Sequence, residues 1–206
     1  MRRAWLRAAR HGLAIVALAC GGTFALAQLR AARFTLVEED RLASVLAGEG
    51  LDTSRSSLAP AERTRREAVP GRAWGRLELP RLGLSALVAE GVDDATLGVA
   101  VGHVPGTAFP GEPGNVALAG HRDTVFRRLA DVEPGDRFRF VTPDGGFEYR
   151  VDRLDVVGPG LTDVVGPTDE PTLTLVTCYP FGYVGRAPLR YVVRARYATS
   201  SMPGKK

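Results

Sequence analysis

Two kinds of hydrophobic pattern divide the chain. Residues 11–29 form a run of 19 positions without a full charge, HGLAIVALACGGTFALAQL. From Trp74 onward the apolar positions come in short, alternating runs between Gly, Pro and Asp residues. As a helix the first run would be about 28 Å long, close to the roughly 30 Å of hydrocarbon in a bilayer. The pattern predicts one membrane-length helix followed by a domain of short strands.

The charges on either side of the apolar run predict its orientation. Four arginines and no acid lie within residues 1–10, and an acidic triplet follows at residues 38–40. Lys and Arg accumulate on the cytoplasmic side of membrane helices. We therefore expect a single-pass membrane protein, with its N-terminus in the cytoplasm and the rest of the chain outside. A signal peptide cleaved after Ala27 is one alternative, because residues 25–27 fit an A-x-A cleavage site, and a buried soluble helix is another.

The chain is expected to have four parts. Residues 1–29 form the arginine-rich start and the signal anchor, and residues 30–72, rich in Arg, Ala and Glu, form an extracytoplasmic stem or linker. A helical stretch at residues 33–46 is followed by glycines and a Ser/Thr-rich run, which is typical of a solvated spacer. Residues 73–199 form the folded domain and residues 200–206 a basic tail.

The folded domain is predicted to be all-β. The PDGG segment at residues 143–146 is a strong hairpin signal, and only short helices are expected, beginning near Asp93 and Asp123, which can cap them. No long helices alternate with the strands, so a doubly wound α/β sheet is excluded and a closed barrel or a sandwich is favoured. The predicted strands cover residues 76–79, 85–90, 116–119, 137–142, 147–157, 172–178 and 190–197.

The distribution of charge argues against a nucleic-acid partner. The formal net charge is +4, but residues 1–72 carry 12 Arg against 7 acids, whereas residues 73–199 carry 13 Arg against 16 acids. A nucleic-acid binder would place its positive surplus on the folded domain that touches phosphate. Here the surplus lies outside that domain.

One cysteine and one histidine stand where strands end. Cys178 closes the TLTLVTC run, and His121 follows the NVALAG run. A thiolate can attack a carbonyl when a neighbouring imidazole acts as base and then as acid. A buried structural cysteine remains the alternative. His103, in a Gly/Pro loop, is expected to be solvated or to brace the loop, and Cys20 is expected to be a small apolar residue of the first helix.

Three motifs resemble those of sortases. GNVALAGHRDT (residues 114–124) is similar to the family's histidine motif, and TLTLVTC (residues 172–178) to its TLxTC signature with an added Val. Arg190 occupies the place of the sortase arginine. The resemblance covers about residues 74–197, and the wording around HRDT and TCYPF is typical of class D sortases, including the related enzymes of Gram-negative bacteria.

The resemblance implies an eight-stranded β-barrel and a cysteine transpeptidase. Cys178 would attack an LPxTG-like motif of an exported protein and form a thioester, and His121 would donate and accept protons. Arg190, together with the backbone N–H of Tyr179, would stabilise the oxyanion. An amine of a peptidoglycan precursor or of another protein would resolve the thioester. Weaker expectations place Thr177, Tyr179, Phe181 and Tyr183 along the substrate groove.

Other functions and roles stay open on the sequence. A different extracytoplasmic cysteine hydrolase would normally place its cysteine before its histidine, the reverse of the order here, and a membrane-tethered β-barrel adaptor without catalysis is a further alternative. Asp123 is expected to cap a helix at residues 124–128 rather than to orient His121. No cofactor is expected. Some sortases use calcium, but the acidic residues form no recognisable calcium loop.

Overall fold

A long helix precedes the folded domain. The computed structural model describes residues 2–46, 61–160 and 162–201. Helix α1, Arg2–Leu46, is 45 residues long and contains the whole apolar run. By length and composition, its part His11–Leu46 is a candidate membrane span. The predicted long apolar helix is therefore confirmed, and it continues through the helical part of the predicted stem.

The folded domain is a closed barrel of eight strands, as predicted. The strand order around the barrel is β1-β2-β3-β4-β7-β8-β6-β5. The pairs β2–β3 and β4–β7 are parallel, and the other neighbouring pairs are antiparallel. The strands are β1 Ala73–Leu79, β2 Leu84–Glu90, β3 Val101–His103, β4 Asn115–Ala119, β5 Arg137–Thr142, β6 Gly145–Val157, β7 Thr172–Tyr179 and β8 Leu189–Ser201.

Alternation along the strands separates the core from the outer face of the barrel. In β4, Val116 and Leu118 point into the core, and in β7, Leu173 and Leu175 do so, all without exposed surface. Successive side chains of a strand point to opposite faces. The residues between these core positions in β4 and β7 therefore form a second, outward face, on which the candidate site lies.

The short β3 strand, which was not predicted, buries a histidine. His103 has no exposed surface; its Nδ1 lies 2.7 Å from a carboxylate oxygen of Glu90, and its Nε2 lies 3.1 Å from the Ala108 carbonyl oxygen. The solvated alternative for His103 is therefore wrong. The ring braces the connection between β3 and β4, which was the other expectation.

Part of the predicted stem contacts the barrel instead of running through solvent. Leu42 of α1 is 1% exposed and packs with Ala73 and Leu87. The Ala73 N–H donates to the Glu38 carboxylate at 3.0 Å, and Arg41 donates to the Ala73 carbonyl at 3.1 Å. The last turns of α1 are thus joined to β1 and β2 by apolar contacts and by hydrogen bonds.

A second segment of the stem also packs on the barrel. Helix α2, Glu62–Glu67, follows Ala61, which is fully buried in the main core. At the turn between β5 and β6, the Asp144 carboxylate accepts from the Thr64 N–H at 2.8 Å and from its hydroxyl at 2.7 Å.

The two predicted helix starts differ in outcome. Asp93 caps helix α3, Asp94–Leu97, by accepting from the N–H groups of Ala95 and Thr96, and these hydrogen bonds lower the pKa of the Asp93 carboxyl. Asp123 caps no helix of the described residues: a turn follows it, and a 3₁₀ helix begins only at Arg127. Its carboxylate is exposed and pairs with Arg122 at 3.3 Å.

Candidate active site

Cys178 lies near the end of β7 on the outward face of the barrel. Leu175 and Thr177, which point inward, are buried, whereas Val176 and Cys178 are half-buried. The thiol is therefore accessible from the surface and is supported from below by the core. This differs from the fully buried position expected of a cysteine that only packs.

The pairing of β4 with β7 carries His121 towards Cys178. The two strands run parallel with Ala119 opposite Val176, and the pairing extends beyond the strand because the Gly120 N–H donates to the Val176 carbonyl at 3.2 Å. Two residues beyond Ala119 is His121, and two residues beyond Val176 is Cys178. Because neighbouring strands lie about 4.8 Å apart, this register brings the backbones of the two residues to the same end of the barrel.

Thr177 supports this arrangement from inside the barrel. Its side chain is 2% exposed, and its hydroxyl donates to the Gly120 carbonyl at 2.7 Å. The expectation that Thr177 lines a substrate groove is therefore wrong, because the residue points inward by the alternation of β7. It instead ties the backbone just before His121 to the strand that carries Cys178.

Arg190 is brought to the site by the pairing of β7 with β8. Its Cα is the direct partner of the Cys178 Cα across the antiparallel ladder. The guanidinium lies against the start of its own strand, where Nη1 donates to the carbonyls of Leu189 at 2.9 Å and Ala187 at 3.3 Å. The backbone of Arg190 thus lies directly beside that of Cys178, and its guanidinium brings a planar cation with five N–H donors to this end of the barrel.

The three side chains form a set suited to acyl transfer. His121 is exposed and Cys178 half-buried. Among the hydrogen bonds between described residues, none involves the Cys178 thiol or the His121 ring. Both groups can therefore turn towards an incoming carbonyl and its leaving amine. A thiol nucleophile, an imidazole acid and base, and a cationic donor are the functional groups that such a reaction requires.

Aromatic residues pack at the end of the barrel next to the thiol. The ring of Tyr191 stacks on that of Tyr179 with centroids 6.0 Å apart and meets Phe181 edge-on at 5.4 Å. Burial, together with the neighbouring Tyr179, raises the pKa of the Tyr191 hydroxyl. Tyr179 and Phe181, both proposed for the groove, are half-buried in this cluster, whereas Tyr183 is 47% exposed and Val184 is 95% exposed.

The outward face of β4 and β7 continues as a floor away from Cys178. Ala119 and Val176 are both half-buried and face each other across the two strands. The floor meets the connection between β6 and β7, where Asn115 donates to the carbonyls of Val164 at 3.3 Å and Gly166 at 3.0 Å. Next to the thiol this face is therefore aliphatic and partly exposed, whereas Ala117 and Thr174, further along it, have no exposed surface.

Arg194 borders the same face as Arg190. The two residues are four apart in β8 and therefore share a face of the strand. The Arg194 guanidinium donates to the Val164 carbonyl at 3.3 Å. Arg194 thus holds the connection between β6 and β7, further along the face than Arg190.

Sequence reasoning missed one residue, Arg122. It follows His121 directly, it is only 6% exposed, and its guanidinium donates to three backbone carbonyls of the loop after Cys178. The HRDT motif placed an arginine here, but apart from the adjacent Asp123 its partners are main-chain atoms of the loop, which no side-chain pattern identifies.

Within residues 2–46, 61–160 and 162–201, no cluster of three or more His, Cys, Asp or Glu side chains could hold a metal ion. Cys20 lies in α1 with an exposed side chain, remote in sequence from the barrel.

Comparison with known proteins identifies one family. The model of the Sortase domain matches residues 77–198. The chain is 35% identical to Sortase D from Bacillus subtilis (strain 168) over 164 residues, which are 79% of this chain and 83% of that protein.

Two solved structures illustrate the structural similarity. A Sortase D5 transpeptidase from Clostridium perfringens matches with a TM-score of 0.66 and 29% identity, covering 79% of this chain and 99% of the other. A structure of sortase E from Streptomyces avermitilis matches with a TM-score of 0.57 and 27% identity, covering 67% of this chain and 97% of the other.

Proposed function

Since the chain belongs to the sortase family of transpeptidases, with affinity to class D, we propose that it cleaves an LPxTG-like motif through a thioester on Cys178. The observation that carries this proposal is the register of β7 with its two neighbours. The pairing with β8 sets Cys178 opposite Arg190, and the pairing with β4 ends two residues before His121. The three groups come from distant parts of the chain, and the barrel brings them to one end.

The first half of the reaction is acylation. The Cys178 thiolate adds to the carbonyl carbon of the threonine-like residue of the motif, and the carbonyl oxygen takes the negative charge. His121, as imidazolium, gives its proton to the departing amine as the peptide bond breaks. The products are a thioester on Cys178 and the released C-terminal part of the substrate.

The second half of the reaction is transfer. An amine of a peptidoglycan precursor or of another protein attacks the thioester, and the now neutral His121 accepts the proton that this amine loses. The thiolate leaves, so that Cys178 returns to its starting state. The acyl part of the exported protein ends in a new amide bond at the cell surface.

Arg190 is assigned to the oxyanion. A guanidinium keeps its charge at any working pH and presents donors in a planar fork. From its position across the strand pair from Cys178 it stabilises the negative oxygen of the tetrahedral intermediate. The Tyr179 N–H, on the residue after the nucleophile, is assigned as a further donor.

The substrate is assigned to the outward face of β4 and β7. The small and aliphatic side chains of Ala119 and Val176 suit an extended apolar peptide next to the thiol. Tyr183 and Val184, exposed in the loop after β7, are placed at the wall of this groove. Helix α1 is assigned as the anchor in the cytoplasmic membrane, with the barrel on the outer side.

The proposed function is tested by acyl-enzyme formation in the full-length protein in detergent micelles. Wild-type protein and the Cys178→Ala and Cys178→Ser variants are incubated with a panel of LPxTG peptides that differ at x, and intact masses are recorded. We expect an acyl adduct on wild-type protein and none on either variant, because a hydroxyl is far less acidic than a thiol. The control is Cys20→Ala, which removes the other cysteine and should keep the adduct.

Two results would contradict the proposal. One is an adduct that persists in Cys178→Ala and maps to another residue. The other is a wild-type protein that forms no adduct with any peptide of the panel while its Cys178 thiol still reacts with iodoacetamide.

A further inference from the structure

The loop between β7 and β8 is folded around a single buried cation. We call residues 180–188 the 180–188 loop. Within it, residues 182–186 are exposed, yet three of its carbonyls turn inward to the guanidinium of Arg122. Nη1 donates to Pro180 at 3.0 Å, and Nη2 donates to Tyr183 at 2.5 Å and to Gly185 at 3.2 Å.

Few other interactions of the described residues order this loop. The backbone hydrogen bond from the Tyr183 N–H to the Pro180 carbonyl is 3.3 Å long, and Phe181 packs on Tyr191 at the start of the loop. Hydrogen bonds from a charged donor are roughly twice as strong as neutral ones. The guanidinium is therefore the principal contact that fixes the middle of the loop.

The position of Arg122 in the chain gives this contact a consequence for the site. Arg122 adjoins His121, and the 180–188 loop begins two residues after Cys178 and ends two residues before Arg190. Moreover, the Arg190 guanidinium donates to the carbonyls of residues 187 and 189, at the end of this loop and the start of β8. The Arg122 side chain thus connects the segment that carries His121 to the loop that joins Cys178 to Arg190.

We infer that Arg122 is a positioning residue that holds the 180–188 loop as the wall of the peptide groove and keeps it in register with His121. The inference rests on the proposed function, since it concerns how the same site accepts its peptide. Arg122 is not assigned to touch substrate: it is buried, its Nη atoms donate to the loop and its Nε donates to the Asp123 carboxylate. It acts by giving the exposed Tyr183 and Val184 one defined position.

Lysine is the informative replacement because it keeps the charge and loses the geometry. An ammonium is a compact point charge, whereas the three carbonyls span six residues of backbone and need a planar fork. In full-length Arg122→Lys in detergent micelles, we expect kcat/KM for the LPxTG peptide that acylates wild-type protein best to fall by about 10- to 100-fold. Most of the loss is expected in KM, because the loop forms part of the groove. The alkylation rate of Cys178 with iodoacetamide is expected to stay within about twofold of wild type.

Amide hydrogen exchange tests the loop without any substrate. In Arg122→Lys the Tyr183 amide, whose N–H donates to the Pro180 carbonyl, is expected to exchange at least about 10-fold faster, because the contact that orders the loop is lost, while the amides of β4 and β7 keep their wild-type rates. The matched control is Arg128→Lys, an exposed arginine outside the site, which should change neither exchange nor kinetics.

A second variant perturbs the other side of the contact. Gly185 has a φ of +96°, and a Cβ built on it meets no atom within 4 Å, so Gly185→Ala acts only through backbone strain. It should shift KM and loop exchange in the same direction as Arg122→Lys. The effects of the two changes combined should be smaller than their sum, because both release the same contact.

The outcomes separate this inference from the proposed function. Wild-type loop exchange and peptide kinetics in Arg122→Lys overturn the inference, as does a lower melting temperature with unchanged kinetics, which marks a purely structural arginine. If Arg122→Lys does not fold, Gly185→Ala decides by the same two measurements. A wild-type protein that no peptide acylates refutes the proposed function, while exchange in the 180–188 loop still tests the contact.

Discussion

The docking of α1 on the barrel can be measured through Leu42. This side chain is 1% exposed, between Ala73 and Leu87. Leu36, in the same helix, is 67% exposed. Replacing each leucine by alanine removes the same three carbons and changes helix propensity equally. Only Leu42→Ala removes a contact with the barrel, so Leu36→Ala is a matched control.

The size of the effect follows from burial. Full burial of a leucine side chain contributes about 1.5–3 kcal/mol. Because water can fill the space that Leu42→Ala leaves on the surface of the barrel, no empty cavity adds to this cost. We therefore expect the free energy of docking to fall by about 2 kcal/mol. Since about 1.4 kcal/mol corresponds to a factor of ten, Leu42→Ala should raise the undocked population about 30-fold. The polar contacts of Glu38 and Arg41 remain in the variant, so docking weakens but is not abolished.

Limited trypsin cleavage after Arg41 measures that population. The Arg41 side chain is held by Glu67 and by the Ala73 carbonyl when the helix is docked. When opening and closing are fast, cleavage tracks the fraction of open protein. In full-length protein in micelles we expect the fragment ending at Arg41 to form about 30-fold faster in Leu42→Ala and at the wild-type rate in Leu36→Ala. Equal rates in the two variants would show that the helix is not held by this contact.

Two further changes test charge and geometry elsewhere. Arg190→Lys should lower kcat/KM by about 10²–10³ through loss of the donor fork, while the alkylation rate of Cys178 changes little. Arg194→Lys is the control and should have a milder effect. Near-normal turnover in Arg190→Lys would refute the oxyanion role. Hydrogen bonding to Arg81 lowers the pKa of Asp136 from 3.8, so the carboxylate stabilises the fold above pH 4, and this contribution is lost as the pH falls through the lowered pKa. Asp136→Asn should therefore cost about 1 kcal/mol in urea unfolding at pH 7 and progressively less below pH 4, and a deficit independent of pH would contradict this.

The sequence predicted the strands whose evidence is local. Alternation and turn residues identified seven of the eight, and the hairpin at residues 143–146 forms as expected, with Thr142 paired to Gly145. The three residues of β3 carry no such pattern. They become a strand because β2 and β4 offer hydrogen bonds on both sides, and these neighbours are assembled by the fold.

The same distinction separates the parts of the site. Cys178 and His121 stand at strand ends that the sequence marks, so their types and positions were predictable. The inward hydroxyl of Thr177 and the buried guanidinium of Arg122 have backbone carbonyls as partners. Backbone carbonyls are present at every residue, and only the fold selects which of them meet a given side chain. The docked face of Leu42 was missed for a related reason, since a helix pattern does not say what the helix packs against.

The parallel pairing of β4 with β7 has a consequence for the order in which the protein becomes reactive. A chain emerging from the ribosome presents His121 before β7 and β8, which carry Cys178 and Arg190 and are the last strands of the barrel in chain order. Contacts between segments so far apart form late, because a large loop must close first. A nascent or prematurely ended chain therefore holds the imidazole without its thiol. Peptide acylation, measured during refolding, would therefore report when β7 and β8 pair with the rest of the barrel.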